Sequence, residues 1–116
     1  MKILVVEDEP LLAMLLEESV TELGHEVAGA AATVDQALAM LDEITVELAL
    51  LDFTLGQQTT SVPIAVRLRE SGIPFLYLSG HRTLGEDGDI PPAPLLTKPF
   101  SLDQLDAAIR GLPIAA

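Results

Sequence analysis

The sequence predicts a doubly wound α/β fold, in which helices cover both faces of a parallel β-sheet. Short, continuously apolar runs such as KILVV at 2–6 are typical of strands buried on both faces. Segments of helical periodicity separate these runs, and alternating strands and helices form right-handed βαβ units. Five such strands favour the order 2-1-3-4-5, with ligands bound beyond the strands' carboxyl ends, where the winding reverses between strands 1 and 3.

The first half of the chain contains two strand–helix pairs. After the strand at 2–6, Pro10 opens a helix that Gly24 stops. Its apolar residues recur at helical spacing: Leu12, Leu15, Leu16, Val20 and Leu23. A weaker, alanine-rich strand follows at 27–31. Thr33 with Gln36 is a capping-box pattern that begins the second helix. The residues predicted to face inward from it are Val34, Leu38 and Leu41.

The second half supplies three more strands and two helices. Strands are predicted at 48–51, 75–78 and 95–97, and a third helix begins around 61–63 and ends near Gly72. Ser101 with Gln104 repeats the capping box before a last helix. The inner stripe of that helix is Leu102, Leu105, Ile109 and Leu112. The run at 81–94, HRTLGEDGDIPPAP, has two glycines and three prolines, so a long helix is excluded there.

Length and composition predict one domain over residues 1–116. Domains commonly run about 100–150 residues. The chain is 49% hydrophobic and 3% aromatic, so its core depends on aliphatic side chains. It has no cysteine, which excludes disulfides and thiol chemistry. Because no apolar run approaches about 20 residues and no signal-peptide layout is present, we expect a cytoplasmic protein without membrane insertion.

The charge balance restricts the class of partner. The formal net charge is −12, from 18 acidic and 6 basic residues. Nucleic-acid binding requires lysine and arginine to neutralise phosphates, so we expect no direct contact with nucleic acid. An acidic surface instead suits divalent cations and basic protein surfaces.

Polar residues follow the strands that flank the predicted crevice. Glu7 and Asp8 follow strand 1, Asp52 ends strand 3, Ser79 ends strand 4 and Lys98 follows strand 5. Each residue alone fits a turn or a helix-dipole contact worth about 0.3–1 kcal/mol. Together, however, they converge on one edge of a parallel sheet, whereas strand 2 ends in alanines. The two histidines have no partner pattern for a metal site.

Four motifs, in order and at strand ends, resemble the bacterial response-regulator receiver family. They are VVEDE at 5–9, LLDFTLG at 50–56, YLSG at 77–80 and TKPF at 97–100, and the resemblance covers essentially the whole chain. It implies a flavodoxin-like receiver fold with a short or irregular fourth helix. It also implies a phosphoacceptor, not an enzyme with a separate substrate, that receives its phosphoryl group from a histidine kinase and takes part in its own phosphorylation and dephosphorylation.

The resemblance also assigns the site residues. Asp52 corresponds to the phosphoacceptor, a carboxylate nucleophile that forms an acyl phosphate. Mg²⁺ would be held by Asp8, Asp52 and the backbone carbonyl of Thr54, with Glu7 supporting them directly or through water. Lys98 would place a positive charge on the phosphoryl oxygens, and Ser79 would donate a hydroxyl to them. The Lys98–Pro99 bond corresponds to one that is cis in the family.

Three features depart from the family pattern. Leu95 stands where receivers commonly carry an aromatic residue that transmits activation, so this coupling is either absent or carried by Tyr77 or another residue. Leu55-Gly56 stands where a proline is frequent. The irregular run at 81–94 replaces the fourth helix, as in a subgroup of stand-alone receivers with a motif similar to residues 77–80. We predict that this run is the mobile, signalling part of the molecule.

Several functional alternatives remain to be compared. A haloacid-dehalogenase-like phosphatase needs a second acid two residues after its nucleophile, where this chain has Thr54. A nucleotide-binding Rossmann module needs a glycine motif that is absent. A receiver-like protein-binding module that is not phosphorylated is the main alternative. Because no output domain follows in the sequence, we expect the protein to dock to a downstream protein partner, to pass the phosphoryl group to a phosphotransfer protein, or to drain it from a kinase.

Overall fold

A five-stranded parallel sheet in the order β2-β1-β3-β4-β5 forms the centre of the molecule, as predicted. The computed structural model describes residues 1–56, 59–80 and 90–112. The strands are β1 (Lys2–Val6), β2 (Glu26–Ala31), β3 (Leu48–Asp52), β4 (Phe75–Ser79) and β5 (Leu95–Thr97). The helices in the described part are α1 (Pro10–Glu22), α2 (Val34–Glu43), α3 (Val62–Ser71) and α4 (Leu102–Arg110).

Alternate residues of the inner strands point into two separate apolar cores. Ile3 and Val5 of β1 pack with residues of α1 and α4, whereas Leu4 and Val6 pack with residues of α2 and α3. Every residue of β3 and β4 is buried, which explains their continuous apolar runs. The helices therefore cover both faces, and the strand ends stay open.

Side-chain caps explain where α2 and α4 begin. Ser101 and Gln104 form the complete capping box before α4. Before α2, Thr33 accepts from the Gln36 backbone as predicted, but the Gln36 side chain accepts instead from the backbone N–H of Ala32. The inner stripe of α2 also differs in part, because Ala37 is its buried residue.

Helix α1 has an apolar side that the fold does not cover. Leu16 and Val20 are buried against the sheet. The exposed residues Leu11, Leu12, Met14 and Leu15, here called the α1 surface, are 43–58% exposed. Helical spacing alone does not separate the buried from the exposed apolar residues, because α1 carries apolar side chains on most of its circumference.

The run predicted to be irregular and mobile lies mostly outside the described residues, which omit 81–89. Its described part, residues 90–94, contains neither helix nor strand. Ile90 and Ala93 pack against the core between the sheet and α2 and α3. The longest helix in the described ranges, α1, has 13 residues, which is short of the roughly 20 apolar residues that a membrane span needs.

Candidate functional site

The parallel sheet brings three carboxylates together at the ends of its two central strands. Val6 of β1 pairs in register with Leu51 of β3, so the residues that follow them are neighbours. Glu7, Asp8 and Asp52 each place one carboxylate oxygen within 4.8 Å of the others. The predicted cluster is therefore a single constellation.

Lys98 bridges two of these carboxylates from the end of β5. Its Nζ lies 3.2 Å from Oε2 of Glu7 and 3.1 Å from Oδ1 of Asp52. Glu7 and Asp52 are only 4% and 7% exposed, so each depends on this ammonium for charge compensation. The Oε1 atom of Glu7 also accepts from the backbone N–H of Glu9, which fixes the carboxylate.

Burial and neighbouring charges shift the pKa values of Asp52 and Lys98. Burial raises the pKa of Asp52 to about 6, while Lys98 opposes the rise and Glu7 adds to it. Burial alone would lower the pKa of Lys98, but its contacts with Asp52 and Glu7 raise it overall. Lys98 thus remains a cation, and Asp52 is ionised mainly above pH 6.

Asp8 is held from the loop that follows β3. Its Oδ2 accepts a hydrogen bond of 2.9 Å from the backbone N–H of Gly56. Gly56 has φ +80°, a conformation that side chains other than glycine rarely adopt. Sequence reasoning did not give Gly56 this role, although the departure at 55–56 marked the loop. The glycine lets the loop direct an N–H towards the cluster.

Ser79 and Thr54 lie on the elements predicted for them. Ser79 is buried at the end of β4, opposite Thr97 in register, and its carbonyl accepts a 2.7 Å hydrogen bond from the Lys98 backbone. Thr54 lies in the loop after Asp52 and forms a β-bridge with Thr60. Its carbonyl remains a predicted metal ligand. The Lys98–Pro99 bond is cis, as the resemblance implied.

The donor set fits a hard divalent cation. Three carboxylates are close enough to share one ion, and Mg²⁺ prefers oxygen ligands with several water molecules retained. Asp8 is exposed, so the cluster is open to solvent on that side. Lys98 pairs with Glu7 and Asp52, and its single positive charge offsets only part of the charge of three carboxylates. A bound cation would therefore relieve repulsion among them.

A groove leads from this cluster to the α1 surface. It has a volume of about 520 Å³ and lies between α1 and the segment that follows β5. Glu7 and Lys98 line it beside Leu12, Leu15 and Phe100. Exposed apolar side chains therefore adjoin the charged site.

Three aromatic side chains form a cluster that includes Phe53, the residue after Asp52. The ring of Tyr77 packs edge-to-face against Phe53 and Phe75, with centroid distances of 5.7 and 5.5 Å. Its hydroxyl donates a buried 2.8 Å hydrogen bond to the carbonyl of Pro91. Burial raises the pKa of Tyr77 to about 12, so the hydroxyl keeps its proton. Tyr77 is one of the residues that the sequence offered as a substitute for the aromatic residue missing at position 95, but the sequence did not predict its hydrogen bond to Pro91.

Comparisons with known proteins agree with this geometry. The family profile "Response regulator receiver domain" matches residues 3–110. The transcriptional regulatory protein TcrA of Mycobacterium tuberculosis is 37% identical over 96% of this chain, which spans 45% of that protein. The phyllosphere-induced regulator PhyR of Methylorubrum extorquens is 33% identical over 93% of the chain, which spans 42% of it. The chain thus spans less than half the length of these relatives.

One solved structure is similar to this chain over nearly the full length of both proteins. The solution structure of SdrG from Sphingomonas melonis has a TM-score of 0.81 and 35% identity, covering 95% of this chain and 93% of SdrG. The same family is indicated by the profile, by the relatives and by the site, in which Asp52 and Lys98 lie beside the acidic pair that follows β1. The chain belongs to the response-regulator receiver domain family of two-component signalling.

Proposed function

We propose that this receiver domain accepts a phosphoryl group on Asp52 from a histidine kinase, in a Mg²⁺-dependent reaction. The observation that carries the proposal is the Lys98 ammonium held between Glu7 and Asp52, beside three carboxylates that can share one cation. An oxygen of Asp52 would attack phosphorus while the P–N bond of phosphohistidine breaks and the imidazole nitrogen leaves with the bonding pair. The product is an acyl phosphate.

Each residue has a distinct task in this transfer. Asp52 acts as the nucleophile, and its pKa of about 6 leaves its carboxylate mostly ionised above neutral pH. Lys98 would exchange its contact with Asp52 for the phosphoryl oxygens, while Glu7 continues to hold it. Ser79 would donate its hydroxyl to the same oxygens. Mg²⁺, held by Asp8 and Asp52 with the Thr54 carbonyl and Glu7, would supply charge neutralisation and alignment.

The surroundings of the site support a protein as the phosphoryl donor. A donor that reaches Asp52 past Lys98 would lie over the groove and the α1 surface, whose exposed leucines suit an apolar contact. The net charge of −12 favours a basic rim on this kinase surface. We infer a cytoplasmic signalling role, in which the phosphorylated domain docks to a downstream protein or passes the phosphoryl group to a phosphotransfer protein, without separate enzymatic activity.

A small-molecule phosphodonor with intact-mass measurement tests the proposal. We expect a gain of one phosphoryl group with acetyl phosphate and Mg²⁺, and no gain when a chelator removes the metal. The alternative, a receiver-like protein-binding module that is not phosphorylated, predicts an unchanged mass under both conditions.

Magnesium should also stabilise the folded protein. An ion at about ten times its Kd stabilises a protein by about 1.4 kcal/mol. In a domain of this size that raises Tm by about 5 °C, which differential scanning fluorimetry can measure. The site variant Asp8→Asn/Asp52→Asn should lose the rise, whereas Glu17→Gln/Glu18→Gln, with the same charge change on α1, should keep it. An equal rise in both variants would indicate general charge screening.

A further inference from the structure

Tyr77 lies beside the position from which receivers commonly transmit activation. That position is Leu95 in this chain, and Leu95 pairs in register with Tyr77 on the neighbouring strand. Both side chains pack in the core between the sheet and α2 and α3. The aromatic ring is thus one strand closer to Asp52 than the family pattern places it.

The backbone N–H and the hydroxyl of Tyr77 both donate hydrogen bonds to the segment that precedes β5. Its backbone N–H donates to the carbonyl of Pro94 over 2.9 Å, and its hydroxyl donates to the carbonyl of Pro91 over 2.8 Å. Tyr77 is 1% exposed, and Pro91 is buried too, so water does not readily replace the hydroxyl bond. A neutral hydrogen bond of this kind changes the equilibrium constant between the attached and the detached segment by about two- to tenfold. Tyr77 therefore holds residues 91–94 against the sheet.

The Tyr77 ring also contacts the phosphoacceptor loop. Phe53 directly follows Asp52, and its ring contacts the ring of Tyr77 edge-to-face. The Phe53 backbone is bound on both sides, since its N–H donates to Leu78 and its carbonyl accepts from Ser61. A continuous set of packed groups therefore runs from Asp52 through Phe53 and Tyr77 to Pro91.

We propose that Tyr77, in place of an aromatic at position 95, couples Asp52 to residues 90–94. This inference rests on the proposed phosphorylation of Asp52. A phosphoryl group on Asp52 displaces the adjoining Phe53, and the close-packed Tyr77 ring follows it. The hydroxyl bond to Pro91 then differs in strength between the two states, which shifts the population of the 90–94 conformations. Tyr77 is a positioning residue and takes no part in the transfer.

Tyr77→Phe removes the hydroxyl and retains the ring, so it tests the coupling without a cavity. Amide exchange at Ile90, Ala93 and Leu95 is measured by NMR, with and without Mg²⁺ and saturating beryllium fluoride as the phosphoryl analogue. In the wild type we expect the analogue to change exchange at these amides. In Tyr77→Phe we expect exchange in the free protein to be about two- to tenfold faster, with the response to the analogue lost. Labelling of Asp52 should remain.

Phe53→Leu and Phe75→Leu form a matched pair of second variants. Each removes one ring that packs edge-to-face on Tyr77, but only Phe53 adjoins Asp52. We expect Phe53→Leu to weaken the response and Phe75→Leu to preserve it. Equal losses in the two variants, or a wild-type response in Tyr77→Phe with normal labelling, would overturn the coupling and leave the proposed function intact. Absence of analogue binding and labelling in the wild type would overturn both.

Discussion

Replacing Lys98 with methionine should slow labelling of Asp52 by about 100-fold or more. Loss of one preorganised charge that stabilises a transition state commonly costs about 10²–10³ in rate. Methionine retains an unbranched apolar stem, so the loss reports on the ammonium and not on packing. The measurement is the initial rate of mass gain with acetyl phosphate and Mg²⁺.

Lys2→Met is the matched control for this variant. It makes the same charge change at an exposed residue at the amino end of β1, whereas the site lies at the carboxyl ends of the strands. Its labelling rate should stay within about twofold of the wild-type rate, as surface charges act weakly at a distance. If Lys98→Met labels as fast as Lys2→Met, the ammonium has no part in the transfer.

The second large effect concerns stability and pH. Without divalent cations, Asp52→Asn should raise the free energy of unfolding at pH 7.5 by about 1–3 kcal/mol. The folded-state pKa of Asp52 is about 6, above the ordinary value of 3.8. Its contribution to stability is therefore fully present below pH 3.8 and is lost as the pH rises through 6. Asparagine carries no charge and escapes that loss.

Chemical unfolding at several pH values measures this difference. The stability gain of Asp52→Asn should shrink as the pH falls from 7.5 through 6, and should vanish near pH 4. Asp103→Asn, on the exposed side of α4, should show no such pH-dependent gain. A gain of equal size at every pH would mean that the ionisation of Asp52 does not strain the fold.

The order of strands and helices was predictable because buried strands and capped helices leave local signals. The apolar runs of β3 and β4 correspond to strands that are wholly buried. Ser101 with Gln104 marked the start of α4 through its own hydrogen bonds. The site was predictable for a related reason. A parallel sheet aligns the carboxyl ends of its strands, so Asp52 and Lys98 meet without any local signal linking them.

Features that depend on tertiary packing were not predictable from the sequence. The hydrogen bond from Gly56 to Asp8 joins residues 48 positions apart and depends on one backbone angle. The bond from Tyr77 to Pro91 depends on how an irregular segment returns to the sheet. The exposure of Leu12 and Leu15 depends on which side of α1 the core covers. Tertiary packing decides all three, and no periodicity encodes them.

The most direct test of the phosphorylation proposal compares the wild type with Asp52→Asn after incubation with acetyl phosphate and Mg²⁺. Intact-mass spectrometry reads the added phosphoryl group, and thermal unfolding at pH 7.5 confirms that the variant is folded. We predict one phosphoryl group on the wild type and none on the folded variant. Undiminished labelling of Asp52→Asn, with the phosphoryl group mapped to another residue, would contradict the assignment of Asp52 as the phosphoacceptor.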